Sequence, residues 1–425
     1  MKALQDVDNQ AGHARSRHAE LLRYAVRALN SQGVSQTSLG QIADDLGISR
    51  AALYYYVDDL PDLVFQCYRA TCERLTAEIS AAVRQGGNEI EIIGHFIAHA
   101  LDPAGEEFAS LSEIGYLHPS QQEIILGQYD GLLAQLAGVI AKGVSAGRMR
   151  TCDPWIVAHT IISMIFWAPI AEGWSPAVRA MSPAPNACAL FDIVRLGIKA
   201  PGVPAGSIIP VNFSPLFPSS KGLFDKEYLT LARREALLLA ASQLFNRKGV
   251  DATSLDEVAA AVGATKRAVL HYFGDKQGLV EHAYKRAYSI FLMTPRTLAQ
   301  TDLKPDEQLA SAWFALAEVY LRDDLSPMTP RGGLEALRPD ARAEMEAFSA
   351  ELTEEYIAIL RQGQETKVLR EFDRGGFLMM VSGAFTWLSR GIFAPAREDY
   401  PRIAREISDL LMCGLSLETA ATSPR

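Results

Sequence analysis

Two separate stretches of the chain cluster side chains that can hydrogen-bond to a nucleic acid. In the first stretch, one short helix is expected to carry on its outward surface Ser49, Arg50, Tyr54 and Tyr55. In the second stretch, the corresponding surface carries Lys266, Arg267 and His271. Side chains at the start of a helix that enters the major groove of DNA can contact base edges there. The chemistry that these residues indicate is DNA recognition.

The two stretches are copies of one another. Residues 33–63 return as residues 249–279 without a gap, and eleven of the 31 positions are identical. Farther along, at an offset of about 220, Gly143, Arg150, Asp153 and Trp167 match Gly363, Arg370, Asp373 and Trp387. Because repeats of this length are rare by chance, we infer that the whole unit was duplicated.

Each copy has the spacing of a helix-turn-helix. In the first copy, apolar periodicity and capping residues predict helices over 14–31, 39–45, 50–56 and 60–84. Ser38 and Ser49 are expected to cap the two short helices, and Gly47 makes the turn between them. Two short helices joined by such a turn form a helix-turn-helix, with the second helix exposed.

A family pattern runs through the first copy at Thr37, Ile42, Ala43, Gly47, Ile48, Ser49, Leu53, Tyr54, Tyr56, Val57 and Leu63. It resembles the DNA-binding domain of the TetR family of transcriptional regulators. The second copy is closer to that family, since Phe273 completes a tyrosine–phenylalanine pair and Lys276 stands where the family usually has a phosphate-binding lysine. The first copy has Leu60 there, beside the acidic Asp58 and Asp59.

The resemblance implies which residues meet DNA. In the first copy it puts phosphate contacts at Thr37 or Ser38 and around Tyr55 and Tyr56, and base reading at Arg50, Ala51 and Tyr54. The contacts expected there are Thr37, Ser38, Ser49, Arg50, Ala51, Tyr54, Tyr55 and Tyr56. Those expected in the second copy are Thr253, Ser254, Thr265, Lys266, Arg267, His271, Tyr272 and Lys276.

Charge distinguishes the two copies. The whole chain has 41 basic and 50 acidic residues, which argues against a generally basic protein that coats nucleic acid. Residues 226–286 hold ten basic and seven acidic residues, whereas residues 15–69 hold six of each. Because phosphate neutralisation drives much of DNA affinity, we expect the second copy to bind more strongly.

The rest of each unit reads as helices. In the first unit they are expected over 88–101, 106–116, 120–146, 153–172 and 185–199. The TetR resemblance implies that this region holds a small-molecule pocket and pairs two-fold. Candidate ligand-binding residues are His95, His99, Tyr116, Trp155, His159, Trp167, Trp313, Tyr320, Tyr356 and Trp387. Core packing explains most aromatic residues at helical spacing.

One helix stripe carries metal-ligand spacing. Glu91, His95 and His99 stand four residues apart, as ligands on one helix face do. Nothing nearby in the sequence supplies partners for these ligands, although His118 or His159 could approach in three dimensions, so pocket polarity or partly exposed histidines are the default interpretation. We expect no metal and no other cofactor.

The five cysteines are odd in number and lack CxxC spacing, which indicates reduced thiols. The N-terminus has no apolar run of a signal peptide. The most membrane-like segment, Ile156 to Ala171, is short for a bilayer and is interpreted as a buried core or interface helix. We expect a cytoplasmic protein with no membrane partner.

The expected fold is all-α: two TetR-like units paired within one chain as a pseudo-dimer, with a further homodimer left open. DNA-binding domains are expected over 14–60 and 226–276, and helical ligand-binding and dimerisation domains over 61–200 and 277–418. Residues 201–225 are rich in proline, glycine and serine and are expected to form an extended linker.

The leading functional hypothesis is a transcriptional regulator that binds a double-stranded DNA operator through two unequal heads. A small apolar or aromatic effector would release it, making it a repressor. The alternative is that only the second head binds DNA, while the first unit is vestigial or binds a partner. A helical carrier or an enzyme is the remote alternative, because no nucleophile elbow, phosphate loop, dinucleotide fingerprint or HExxH motif occurs.

Overall fold

The described residues of the first half of the chain form helices joined by irregular segments, without a strand. The computed structural model describes residues 2–34, 36–174, 178, 181, 186–204, 206–219, 225–329, 337–389 and 395–417, with side chains from residue 16 onward except those of 172–174. In unit 1 (residues 2–200) the helices are α1 Lys2–Gln32, α2 Leu39–Asp45, α3 Arg50–Leu53, α4 Leu60–Gln85, α5 Glu89–Ala100, α6 Pro119–Ser145, α7 Pro154–Trp174 and α8 Asn186–Leu196.

The second half repeats this order. In unit 2 (residues 226–417) the helices are α9 Lys226–Lys248, α10 Leu255–Ala261, α11 Lys266–Phe273, α12 Lys276–Leu298, α13 Pro305–Leu321, α14 Pro339–Glu365, α15 Arg374–Val381, α16 Gly383–Thr386 and α17 Tyr400–Cys413. The expected all-α, two-unit fold is confirmed.

Residues 106–116 do not form the helix that their sequence led us to expect. They run extended and end in a 3-10 turn, Ile114–Tyr116. The side chain of Asn30, near the end of α1, satisfies their backbone: its amide donates to the Phe108 carbonyl (2.8 Å) and its oxygen accepts from the Ser110 N–H (3.0 Å). A side chain that satisfies both groups removes the need for helical hydrogen bonds.

Unit 2 has an equivalent asparagine that makes the same two hydrogen bonds. Asn246, which lies 216 residues after Asn30, donates to the Pro327 carbonyl (2.8 Å) and accepts from the Thr329 N–H (2.9 Å). In each unit the amide therefore fastens the first helix to a segment of the helical body. The repeated asparagine was visible in the sequence, but its partner is 80 residues away and only the fold brings them together.

The two units join through contacts that cross between them in both directions. Arg150 of unit 1 donates from its backbone N–H to Leu415 (3.0 Å) and from its side chain to the Gly414 carbonyl (2.5 Å). Arg370 of unit 2 makes the equivalent pair of bonds to the carbonyls of Ile198 and Gly197, at 3.1 and 2.7 Å. This reciprocal pattern is that of an isologous interface, formed here within one chain.

Two glycines let the units come this close. Gly197 and Gly414 each follow the last turn of a helix, and each has φ of 62°. A Cβ at either position would collide with the backbone of the other unit, at Met412 and at Arg195 respectively. Glycine is the residue that accepts both a positive φ and such an approach.

The centre of the interface is a layer of helical segments from both units. α7 and α8 of unit 1 pack against α15, α16 and α17 of unit 2. The Trp167 side chain lies against Gly383, where a Cβ would be 2.6 Å from the tryptophan Cβ, and its indole N–H donates to the Met379 carbonyl (2.7 Å). Glycine at position 383 therefore permits this close approach.

Within the part of the chain that the structure describes, two helices are long and apolar enough to cross a membrane by length and composition, namely α6 and the first 18 residues of α7. In α7, 72% of that apolar window is buried inside the fold, and in α6 44% of its window is buried. α7 includes the apolar segment Ile156 to Ala171 and extends beyond it at both ends. It is the interface helix described above.

The proline-rich connector is extended but attached. Its residues 206–219 contain one 3-10 turn, Ser214–Leu216, and the rest is irregular. Phe213 is buried at 2% exposure, and the N–H of Ile209 donates to the Ser311 hydroxyl (3.1 Å) on α13. The linker therefore lies along unit 2 and contributes to its packing.

Asn246→Ala tests how much the hydrogen bonds of this asparagine contribute to stability. The change leaves a buried carbonyl and a buried N–H without partners, so we expect the free energy of unfolding to fall by about 2–4 kcal/mol. Urea denaturation followed by circular dichroism measures it. Gln243→Ala is the control, because Gln243 donates one exposed hydrogen bond from the same helix to Asp323 in the same segment. Equal losses in the two variants would contradict the assignment.

Candidate DNA-binding heads and effector pocket

The first helix-turn-helix, residues 16–60 (head 1), exposes the surface that its sequence predicted. Ser49 caps α3 and accepts from the Ala52 N–H (3.1 Å), which leaves the helix start facing outward. Arg50 and Ala51 are exposed, and the side chains of Tyr54 and Tyr55 are 55% and 80% exposed. α3 ends at Leu53, one turn earlier than expected, so both tyrosines lie in the turn after it.

The second helix-turn-helix, residues 226–276 (head 2), is capped more completely. Thr265 accepts from the Ala268 N–H at the start of α11. Ser254 and Glu257 form a reciprocal capping box at the start of α10. The Lys248 ammonium and the Ser254 donors lower the pKa of Glu257 to about 2. In head 2 both cap residues, Ser254 and Thr265, therefore make side-chain cap hydrogen bonds, whereas Ser38 of head 1 makes none.

Two of the expected phosphate contacts are buried. The side chains of Thr37 and Thr253 are 5% and 1% exposed, and each hydroxyl donates to the carbonyl four residues earlier, at Gly33 and Gly249, at 2.8 Å. These threonines therefore stabilise the turn after the first helix. The neighbouring Ser38 is exposed.

The remaining head 2 candidates face solvent with few constraints. Arg267 and His271 are exposed, and Tyr272 is half-buried with its ring against His271. The Lys266 ammonium lies 3.1 Å from an Asp256 carboxylate oxygen, and both side chains are more than half exposed. An exposed pair of this kind is weak, so the lysine can exchange its partner for a phosphate. In head 1, Tyr56 is half-buried and its ring stacks on His18.

Lys276 is the first residue of α12 and is held against Asp251 of head 2. Its ammonium donates to the Asp251 carbonyl (3.1 Å) and lies 3.8 Å from that residue's carboxylate. Partial burial lowers the pKa of Lys276, while Asp251 and Glu257 oppose that shift. Head 1 has Leu60 at the equivalent first position of α4.

The two heads are connected through the extended segment of unit 1. Glu113 is buried, and its carboxylate accepts from the Val34 N–H (2.9 Å) at the end of α1. The same carboxylate lies against Gly249 at the end of α9, so that a Cβ there would collide with it. Gly249 is the counterpart of Gly33, next to Val34. One side chain therefore contacts equivalent places on both heads.

Tyr116, one of the candidate ligand residues, lies at this junction. It is half-buried in the 3-10 turn. Burial raises its pKa, and the carboxylates of Asp59, Glu113 and Asp251 add to that shift. Asp59 and Asp251 belong to different heads, so Tyr116 lies between them. Its placement among candidate ligand residues had no support from the sequence beyond its aromatic type.

A cavity of about 110 Å³ lies in unit 2. Three of the expected ligand residues line it together, Trp313, Tyr320 and Tyr356, and Trp167 of unit 1 reaches it from across the interface. Trp313 stacks on Tyr356 with ring centroids 5.1 Å apart. The cavity is thus aromatic and built by both units. Nothing in the sequence indicated that Trp167 would serve the other unit's pocket.

The other expected ligand residues lie elsewhere. Trp155 is 48% exposed at the start of α7. His159 and Trp387 stack on each other at the unit interface, with centroids 4.5 Å apart, and His159 also bonds to the Tyr129 hydroxyl (3.2 Å). These three residues do not line the unit 2 cavity.

The histidine stripe of α5 shows no metal geometry. The exposed Glu91 is the reciprocal partner of Asn88 in the cap of α5. His99 lies 3.6 Å from Glu78 of α4, and His95 is half-buried. Among the residues that the structure describes, no group of three histidine, cysteine or acidic side chains is arranged to hold a metal ion.

The comparisons with known proteins match both heads. The family described as bacterial regulatory proteins, tetR family, matches residues 21–58 and 237–283. The HTH-type transcriptional regulator AcrR of Shigella flexneri is 22% identical, over 34% of this chain and 80% of that protein. The HTH-type transcriptional repressor BepR of Brucella suis biovar 1 (strain 1330) is 41% identical, over 13% of this chain and 26% of that protein.

Solved structures align with about two-fifths of the chain at a time. The TetR family transcriptional regulator PfmR from Thermus thermophilus is 27% identical, with a TM-score of 0.36, over 43% of this chain and 98% of that one. AibR in complex with isovaleryl coenzyme A and operator DNA is 17% identical, with a TM-score of 0.34, over 41% of this chain and 94% of that one. With the family's DNA-binding region matched at two places, the chain carries twice the helix-turn-helix of the tetR family of bacterial regulatory proteins.

Proposed function

We propose that this regulator is a ligand-released repressor that binds an asymmetric operator as a one-chain pseudo-dimer. The observation that carries the proposal is a reciprocal interface joining two heads whose exposed residues differ. Arg50 and Tyr54 occupy the recognition surface of head 1, whereas Lys266 and Arg267 occupy that of head 2. Operator symmetry usually mirrors protein symmetry, so unequal heads require unequal half-sites.

Head 2 supplies the stronger phosphate contact in this proposal. Lys276, Lys266 and Arg267 give it three cationic groups on or beside the recognition helix, and head 1 has Arg50 alone at those places. Each neutralised phosphate releases counterions and adds to affinity. Head 1 contributes a base-reading contact through Tyr54 and an uncharged phosphate contact through the Tyr55 hydroxyl.

Release by a ligand has a direct mechanical path. α12 begins at Lys276 in head 2 and carries Tyr288 and Phe291 into the unit 2 cavity. At 1.5 Å per residue, Lys276 and Tyr288 are about 18 Å apart along this helix. Arg286 of the same helix bonds to Glu235 of α9 (2.6 Å) and to the Leu325 carbonyl (2.5 Å). A ligand that displaces the middle of α12 would therefore move head 2.

The effector is proposed to be a small apolar or aromatic molecule, because the lining of that cavity is mostly aromatic and aliphatic. The second candidate function is regulation through head 2 alone, with unit 1 as a partner-binding or vestigial module. The observation that favours it is the lack of a lysine at position 60 and the acidic Asp58 and Asp59 beside it. Both candidates keep DNA as the partner, and they differ in what head 1 does.

An exchange of residues between the heads tests the phosphate contact. Selection from random duplex DNA supplies the operator, and fluorescence anisotropy at several salt concentrations measures the slope of log affinity against log salt. Lys276→Leu should weaken binding and lower that slope by about one unit, because one phosphate contact is lost. Leu60→Lys should tighten binding and raise the slope by about one unit.

Lys142→Leu is the matched control, since Lys142 is exposed on α6 outside both heads and carries the same charge. It should leave the slope unchanged. Unaltered slopes in both exchanged variants would remove these positions from the DNA contact.

Paired alanine variants test whether both heads read DNA. Arg50→Ala with Tyr54→Ala should lose about 1–3 kcal/mol of binding free energy for one half-site, and Lys266→Ala with Arg267→Ala should lose as much or more for the other half-site. Binding to operators with one half-site scrambled assigns each loss. Unchanged affinity in the head 1 variant would favour the second candidate function. A perfectly palindromic operator with equal protection of both arms in a footprint would contradict the asymmetric proposal.

A further inference from the structure

We propose that the chain binds one effector molecule, in unit 2 only, and that this effector is flat, uncharged and carries a hydrogen-bond acceptor. The inference rests on the proposed ligand-released function and specifies its site, its stoichiometry and its chemical class. Four observations carry it: the filling of unit 1, the absence of charge, unpartnered donors and a contribution from the opposite unit.

The first observation compares two equivalent helices. α6 and α14 each have 27 residues and correspond at an offset of 220 throughout. Ser349 and Thr353 of α14 line the cavity, whereas α6 has Tyr129 and Leu133 at those positions. A serine and a threonine leave space that a tyrosine and a leucine occupy.

In unit 1 the larger side chains fill that space. Tyr129 is 2% exposed, its ring lies 6.2 Å from that of Phe166, and its hydroxyl bonds to His159. His159 in turn corresponds to Met379, which lines the unit 2 cavity. Unit 1 therefore satisfies its aromatic and polar groups internally at the place where unit 2 is open.

The second observation concerns charge. Among the described residues that line the unit 2 cavity, none is acidic, basic or histidine. A charged ligand would leave water without a partner of opposite charge and would be strongly disfavoured. The lining includes two stacked pairs of rings, Trp313 with Tyr356 and Tyr320 with Phe385, the second pair within 8° of parallel. Such surfaces favour a flat ligand.

The third observation concerns hydrogen bonds. The Trp313 indole N–H and the Tyr356 hydroxyl are buried, and neither has a hydrogen-bond partner among the residues that the structure describes. Their side chains are 1% and 5% exposed. Because buried donors are rarely left unpaired, these two call for an acceptor supplied by a ligand.

The fourth observation ties the site to the pairing of the units. Trp167, Ala171 and Val178 of unit 1 line the same cavity. Trp167 is fixed there by its bond to the Met379 carbonyl and by its contact with Gly383. A bound molecule would therefore touch both units, and the site is complete only in the paired chain.

The experiment titrates the full-length protein, without DNA, by isothermal calorimetry with three probes. Coumarin is flat and neutral with a carbonyl acceptor, naphthalene lacks the acceptor, and coumarin-3-carboxylate is an anion. Coumarin should bind once per chain. Naphthalene should bind about 3- to 10-fold more weakly, as one hydrogen bond is worth. The anion should bind at least about 10-fold more weakly, because burying its charge is costly.

Three variants locate the site. Ser349→Tyr, which copies unit 1, should abolish coumarin binding, and Ala350→Tyr on the exposed face of the same helix should not change it. Thr353→Leu copies unit 1 at the second position and provides an independent block if Ser349→Tyr does not fold. Trp313→Phe should weaken coumarin to the level of naphthalene while leaving naphthalene unchanged.

Two molecules bound per chain, equal binding of the anion, retained binding in both blocked variants, or no binding of either neutral probe would each overturn the inference. DNA binding is measured separately by gel shift. If coumarin binds once per chain but leaves DNA affinity unchanged, the site stands and the proposed release fails. If DNA is bound but neither neutral probe binds, the site fails and the DNA-binding proposal stands.

Discussion

The pairing of the two units depends on the reciprocal hydrogen bonds that Arg150 and Arg370 make across the interface. Each arginine donates to the backbone just after the last helix of the opposite half, where Gly197 or Gly414 permits the approach. These bonds satisfy carbonyls at helix ends that would otherwise be left without partners. Because the same contact occurs twice about a pseudo-two-fold relation, it orients the whole of one unit against the other. The layer formed by α7, α8, α15, α16 and α17 then fills the space between them.

Because the two paired units belong to one chain, their sequences can differ at equivalent positions. In a homodimer any substitution appears on both sides, whereas here Leu60 and Lys276, or Tyr129 and Ser349, differ at equivalent positions. The interface tolerates these differences because they lie away from Arg150 and Arg370. In unit 2, α15 and α16 are separate helices that meet at Ser382 and Gly383, and Trp167 lies against this break. α7, their counterpart, runs unbroken through Trp174.

The local elements were predictable because they depend on neighbouring residues. The cap at Ser49 and the turn at Gly47 appear where the sequence indicated them, since capping bonds span only three residues, although Ser38 makes no side-chain cap bond. Residues 106–116 were wrongly expected to be helical. Their apolar spacing was suitable, but Asn30 binds their backbone from 80 residues away, and no periodicity reveals such a partner. The same limit applied to the ligand residues: their aromatic character was visible, whereas the side of the interface that each would face was not.

By itself the sequence determined the duplication, the all-helical class, the two helix-turn-helix heads and the different charges of those heads. Each of these follows from residue identity and short-range spacing. Only the tertiary structure decided that Glu113 contacts both heads, that Trp167 lines the cavity of the opposite unit, and that the buried Thr37 and Thr253 are structural. The contacts of Glu113 and Trp167 join residues far apart in the chain and form only when the two units pack against each other, whereas the two threonines are buried within their own heads by the packing of the helices there.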